Sequence, residues 1–271
     1  MSLGIVIKAA EGIVFGADSR VTLEAKTADN RLLPVTFDNA TKLLTLNPPH
    51  NFFAAVTYGA AVIGLRTAHS FLPEFELTLK DEAKRLEVLD YARRLSDFFM
   101  KQWSQGMPPN YPGPAMTFLV GGYDPEAAYG KVFLFDVPKN PVPQPRNPGE
   151  REFGMSWGGQ LEVTSRLIHG YDPSLPAILK QTLNLNDEQV TSALQALQKA
   201  LEFKLPYDVL PLQDCIDLAT FLIRTTITAQ ALSIGLRGVG GPIEVATITR
   251  IDGVKYIQRK TLHGERQNTT A

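Results

Sequence analysis

The chain of 271 residues has a single cysteine, Cys215, so it can form neither an intrachain disulfide nor a cysteine metal cluster. No apolar run approaches membrane-spanning length, and no basic stretch followed by a signal-type apolar core opens the chain. The expected protein is soluble and cytoplasmic, with no membrane partner. Net charge is also scarce: 27 basic and 28 acidic side chains leave −1, with no field to attract nucleic acid. No glycine-rich phosphate loop follows a strand, which removes support for nucleotide binding. The histidines, at 50, 69, 169 and 263, share no ligand spacing, so no metal and no cofactor are expected. No repeat of fixed period is present.

What remains is ordinary globular material, 44% hydrophobic and 20% charged. A chain of this size buries roughly three quarters of its unfolded surface and needs no staples. Segments 3–8 and 13–18 read as strands joined by the turn Ala9-Ala10-Glu11-Gly12, a hairpin signal. The polar stretch 22–39 reads as a loop or ragged hairpin, followed by strands at 42–46 and 52–57 around Asn47-Pro48-Pro49-His50. Apolar residues then recur at helical spacing and predict helices over about 60–80 and 86–104. After the Pro-rich 107–114, strands are expected at 115–123 and 130–135, and the four prolines of 139–149 suggest an exposed loop. A strand at about 151–156 precedes helices over 158–169, 175–183, 187–203 and 212–234. Strands at 243–249 and 254–259 close the domain, and the polar 264–271 reads as a disordered tail. Runs of strands alternating with pairs of helices do not fit βαβ crossovers. They predict an α+β domain over 1–263, a four-layer αββα sandwich of two antiparallel sheets flanked by helices.

Several segments carry a resemblance. Gly4-Ile5-Val6-Ile7-Lys8 and Glu11-Gly12-Ile13-Val14-Phe15-Gly16-Ala17-Asp18-Ser19-Arg20 resemble the first hairpin of proteasome β-type subunits, members of the N-terminal-nucleophile hydrolases. That family begins its mature chain with the nucleophile and closes the second strand with small-small-Asp-x-Arg. Ser2 to Asp18 spans 18 − 2 = 16 positions, the family's separation. Thr41-Lys42-Leu43 resembles the opening of its third core strand, and Val56-Thr57-Tyr58-Gly59 its strand-to-helix turn. Phe118 to Asp124 with Val132 to Asp136 resembles its central hairpin, and Gly240 to Ile248 its penultimate strand. The resemblance spans nearly the whole chain, apart from the longer 22–40 and 170–211.

It implies a peptidase whose nucleophile is Ser2 once Met1 is removed. A hydroxyl is a weak nucleophile at neutral pH, and a free α-amine with pKa about 7.7–8.0 can serve as the base for its own residue. Lys42 would lower that amine's pKa by like-charge proximity, and Asp18 would hold Lys42 in place. The N–H of Gly59, expected at a helix N-terminus, would meet the oxyanion. Ser156 lies near where the family keeps a supporting serine. Cys215, among Leu212, Ile216, Ala219 and Ile223, reads as a core thiol. If the opening Met-Ser-Leu is a cloning scar, Thr is the residue type expected natively at position 2.

One departure stands out. Where the family ends its last long helix with Asp-x-x-Ser-Gly, this chain has Leu236 and Val239 at the Asp and Ser positions. That difference resembles the divergent bacterial proteasome homologues of the Anbu type. Relatives associate into rings or helical assemblies, so a homo-oligomer acting on peptide or unfolded protein is expected. A weakly active or inactive structural subunit, and an amidase for small molecules, stand as alternatives.

Overall fold

The computed structural model describes residues 2–82 and 84–264. Met1, whose removal the sequence reading requires, and nearly all of the expected tail lie outside them. The first hairpin forms as expected, β1 (Leu3–Lys8) with β2 (Ile13–Ala17). The undecided 22–39 is a second hairpin, β3 (Val21–Lys26) with β4 (Leu32–Phe37), whose second strand is exposed throughout. Then come β5 (Leu43–Thr45), β6 (Phe53–Gly59), α1 (Leu72–Thr78), α2 (Val88–Gly106), β7 (Met116–Gly122), β8 (Lys131–Val137) and β9 (Asn140–Arg146). The remainder is β10 (Gly154–Gly159), α3 (Glu162–Ile168), α4 (Leu175–Leu183), α5 (Asp187–Leu201), α6 (Leu212–Leu232), β11 (Glu244–Ile248) and β12 (Lys255–Gln258).

The long strands form two five-stranded sheets, ordered β10-β1-β2-β11-β12 and β5-β6-β7-β8-β9, and every pairing is antiparallel. Side-chain alternation sets what each face covers. In the first sheet Leu3, Ile5, Ile7, Val14 and Val245 pack with Cys215, Ile216, Ala219 and Ile223 of α6. Their neighbours Val6, Phe15, Ala17 and Ala246 point the other way, onto Ala54, Val56 and Leu119 of the second sheet. The second sheet turns Phe53, Phe118, Phe133 and Phe135 toward Tyr91, Leu95, Phe99 and Trp103 of α2. With both faces covered, β1 and β2 are buried at every residue, which is why they read as unbroken apolar runs. Stacked pairs such as Phe118–Phe135, with centroids 4.9 Å apart, add about 0.5–1.5 kcal/mol each beyond their burial.

Three expectations fail for identifiable reasons. No helix spans 60–80. Gly64, with φ +59°, turns the chain back on itself through an Ile63–Arg66 bridge, and helical backbone begins only at Ala68. Pro73, lacking an N–H, fits only the first turn of α1. The proline-rich 139–149 is not a loop: β9 pairs with β8 at both ends, across an irregularity between Leu134 and Asp136. Prolines at alternate positions 141, 143 and 145 leave every second N–H for that partner and remove donors from the outer edge, as suits an edge strand. The strand expected at 151–156 lies three residues later, because Gly158 and Gly159 pair with β1 although they carry no side-chain pattern. The other helices fall within a few residues of expectation, with α4 at the anticipated 175–183.

Candidate active site

The first hairpin brings Asp18, just beyond β2, back beside the start of β1. Its carboxylate is buried and accepts four hydrogen bonds. Oδ1 takes the Leu3 N–H at 2.9 Å and Lys42 Nζ at 2.6 Å, and Oδ2 takes the N–H groups of Arg20 at 3.1 Å and Gly240 at 3.0 Å. Lys42, only 3% exposed at the entry to β5, also donates to the Arg20 carbonyl. Ser2, 5% exposed, sits immediately before β1, and its carbonyl accepts the Gln160 N–H at 2.7 Å. Ser2 and Lys42 line one narrow cleft, walled by Val21, Ala40, Thr57, Tyr58 and Ala60. The structure thus gathers Ser2, Asp18 and Lys42 from three separate segments.

Gly59 is placed differently from expectation. It closes β6 beside that cleft, between the lining residues Tyr58 and Ala60, but no helix starts there. The expected helix N-terminus is therefore not what presents its N–H. Glycine is needed at this position all the same: φ is +89°, and a Cβ would lie 2.1 Å from the Ala115 carbonyl oxygen. Ser156 is not brought to the site. It stands opposite Val6 in mid β10 and lines a separate hollow with Arg146, Trp157 and His169. Cys215 is a core residue, its thiol pushed up to about 11 by burial. Among the described residues no group of three or more His, Cys, Asp or Glu side chains gathers as metal ligands.

Other contacts complete the site, among them those of Arg20, the last residue of the small-small-Asp-x-Arg segment. Arg20 clamps Asp38 with two hydrogen bonds, at 2.5 and 2.8 Å, and reaches the Arg237 carbonyl at 3.3 Å. A second buried ion pair lies alongside: Lys260 Nζ is 2.9 Å from Glu244 Oε2 in an alignment short of a hydrogen bond, and donates to the Ala40 carbonyl at 3.0 Å. Thr57 Oγ1 is buried in the cleft wall with no hydrogen-bond partner among the described residues. Leu236 and Val239 contribute no polar side chain. Leu236 is half exposed and Val239 joins the apolar cluster beneath α6. The backbone bonds here instead, with Val239 N–H donating to Gln230 Oε1 at 2.9 Å and Gly240 N–H to Asp18.

Burial drives the Lys42 pKa down. The Asp18 carboxylate opposes that shift, and the Lys260 and Arg20 charges add to it. Folded Lys42 therefore binds its proton less tightly than it does in the unfolded chain. Between the lowered folded value and the ordinary 10.5, the unfolded state holds the extra proton, so the residue's contribution to stability rises with pH. Stability of the wild type minus that of Lys42→Met should grow from neutral to alkaline pH in denaturant titrations. A difference that shrinks over that range contradicts the assignment.

Gly159 gives a second local prediction. Its φ is +98°, and a Cβ there would lie 1.9 Å from the Ser2 carbonyl oxygen. Gly159→Ala should displace Ser2 and lower stability by about 1–3 kcal/mol. Thermal melts check this, and an unchanged melting temperature overturns it.

No family model matches the chain, and no curated protein matches it. Among solved structures, a chain from "Helical Assembly of the Anbu Complex from Pseudomonas aeruginosa" superposes with a TM-score of 0.57. Identity is 16%, over 97% of this chain and 88% of that one. At that identity the likeness is one of fold. It is the same Anbu type to which the sequence resemblance points. No helix among the described residues is long and apolar enough to cross a membrane.

Proposed function

We propose that this protein is a proteasome-like amide-bond hydrolase, with residues 1–263 forming one four-layer αββα domain of the N-terminal-nucleophile type. The observation that carries this reading is the buried Asp18–Lys42 pair beside Ser2 at the start of β1. Removal of Met1 exposes the α-amine of Ser2. That amine takes the proton from Oγ as Oγ attacks the substrate carbonyl carbon, forming the C–O bond. Lys42, close and cationic, keeps the amine partly unprotonated near neutral pH. The Gly59 N–H faces the developing oxyanion. As the C–N bond breaks, the ammonium returns its proton to the leaving amine, and water then hydrolyses the ester and frees Ser2.

The substrate is a peptide or unfolded protein, handled within a cytoplasmic homo-oligomer. Apolar side chains left exposed on β4, among them Leu32 and Phe37, and on α6, among them Phe221 and Leu232, are surfaces that association of copies would cover. A small-molecule amide is the second reading, favoured by the confinement of the cleft. Protein with residue 2 N-terminal and protein retaining Met1 should be compared on a peptide panel and a set of small amides. Turnover confined to the Met1-free form supports hydrolysis by residue 2, and the better substrate class decides between the readings. Equal turnover by both forms, or none by either, contradicts the proposal.

A further inference from the structure

The first peptide bond after residue 2 is held on both sides. Its carbonyl accepts the Gln160 N–H at 2.7 Å, and its N–H donates to Asp18 Oδ1 at 2.9 Å. The two grips are joined through side chains. Gln160 Oε1 accepts from Gln230 Nε2 at 3.0 Å, Gln230 Oε1 accepts the Val239 N–H at 2.9 Å, and the adjacent Gly240 N–H reaches Asp18 Oδ2 at 3.0 Å. The result is a closed ring of hydrogen bonds around the Ser2–Leu3 peptide, drawn from the turn after β10, the end of α6 and loop 235–241.

The amide orientations follow from their partners. Val239 N–H can only donate, so it fixes the oxygen of Gln230 toward it and turns the NH2 toward Gln160. Gln160 must then present its own oxygen. A carboxamide combines donor and acceptor at the reach required here, whereas an apolar side chain of the same length offers neither.

Resting on the hydrolase reading above, we infer that Gln160 and Gln230 are positioning residues that do the work of the absent Asp and Ser side chains at 236 and 239. They hold loop 235–241 so that the Gly240 N–H keeps the Asp18 carboxylate aimed at Lys42 and at the Leu3 N–H. Neither touches substrate. Their effect is on the geometry of the N-terminal residue at the moment of acylation, where small displacements are costly.

The test uses full-length protein with Met1 removed, a β-lactone probe, and the variants Gln160→Met, Gln230→Met, the double variant and Gln230→Glu. Methionine keeps the length; at 230 it deletes both side-chain bonds, and at 160 it deletes the bond to Gln230 and leaves the backbone bond to Ser2. In Gln230→Glu the carboxylate still accepts the Val239 N–H, and Gln160 restores the second bond by flipping its amide. Gln230→Met should slow acylation roughly tenfold with unchanged half-saturation by the probe and complete labelling at the end point. The double variant should be no slower than the worse single, because both cut one ring. Gln230→Glu should stay within roughly threefold of wild type. Amide exchange at Val239 and Gly240 should accelerate in Gln230→Met and not in Gln230→Glu.

A purely structural role predicts instead a lower melting temperature and a smaller labelled fraction at an unchanged rate, and that result overturns the inference. So does a wild-type rate in Gln230→Met with unaltered exchange at both amides. Wild-type protein that takes no label at residue 2 sinks the hydrolase reading, and the catalytic meaning of the ring with it. The exchange data then report only whether the ring orders the loop.

Discussion

Asp18→Asn should cost the folded protein about 3–5 kcal/mol and should be the most damaging single substitution at the site. The carboxylate only accepts, and it faces only donors: Leu3 N–H and Lys42 Nζ on one oxygen, Arg20 and Gly240 N–H on the other. An asparagine has one oxygen to give. Whichever way its amide turns, an NH2 points at two donors, and the buried Lys42 loses its counter-charge. Leaving a buried charge unpaired is the expensive event, more so than the net worth of the pair. Against a typical total of about 5–15 kcal/mol, the loss should lower the melting temperature by roughly 6–20 °C in a chain of this size. A loss below about 1 kcal/mol would mean that Asp18 is not the strut of the site.

Lys42→Ala should separate chemistry from stability in the opposite sense. Asp18 would still accept three backbone N–H groups, so its charge would not be orphaned and the fold should suffer less than in Asp18→Asn. Acylation of residue 2, by contrast, should fall by about 10³-fold or more. On the proposed mechanism the variant would lose both the like charge near the amine and a cation beside the developing negative charge. Rates of covalent labelling, with melting curves and oligomeric state measured on the same samples, check both halves. Assembly should survive. Labelling within about tenfold of wild type would remove Lys42 from the mechanism.

The strands of the first hairpin were readable because burial on both faces leaves them apolar at nearly every residue, with Gly12 marking the turn. The end of α4 was readable too: Asn184, at φ 52°, stops the helix in the left-handed conformation that suits asparagine. Periodicity misled where backbone chemistry intervened. Val62, Leu65 and Ala68 repeat at helical spacing, yet Gly64 and Pro73 prevent one continuous helix. Proline content in 139–149 looked like a loop because a one-sided edge strand tolerates what a central strand does not.

For the site, family resemblance singled out Asp18 and Lys42, and the fold places them in contact. Nothing in local sequence singled out Gln160 and Gln230. They are half-buried polar residues 70 positions apart that match no motif, and their value lies in an alignment that only the tertiary structure creates. The same holds for Glu244 and Lys260, and for the backbone N–H groups of loop 235–241. Main-chain donors leave no trace in residue identity, so Leu236 and Val239 read as a deficit although the bonds are made.

The most direct measurement is intact mass before and after treatment with a β-lactone, followed by peptide mapping. Loss of Met1 and a single adduct on residue 2, absent in Lys42→Ala, is the expected result. Retention of Met1 with no adduct, or an adduct at any other residue, contradicts it.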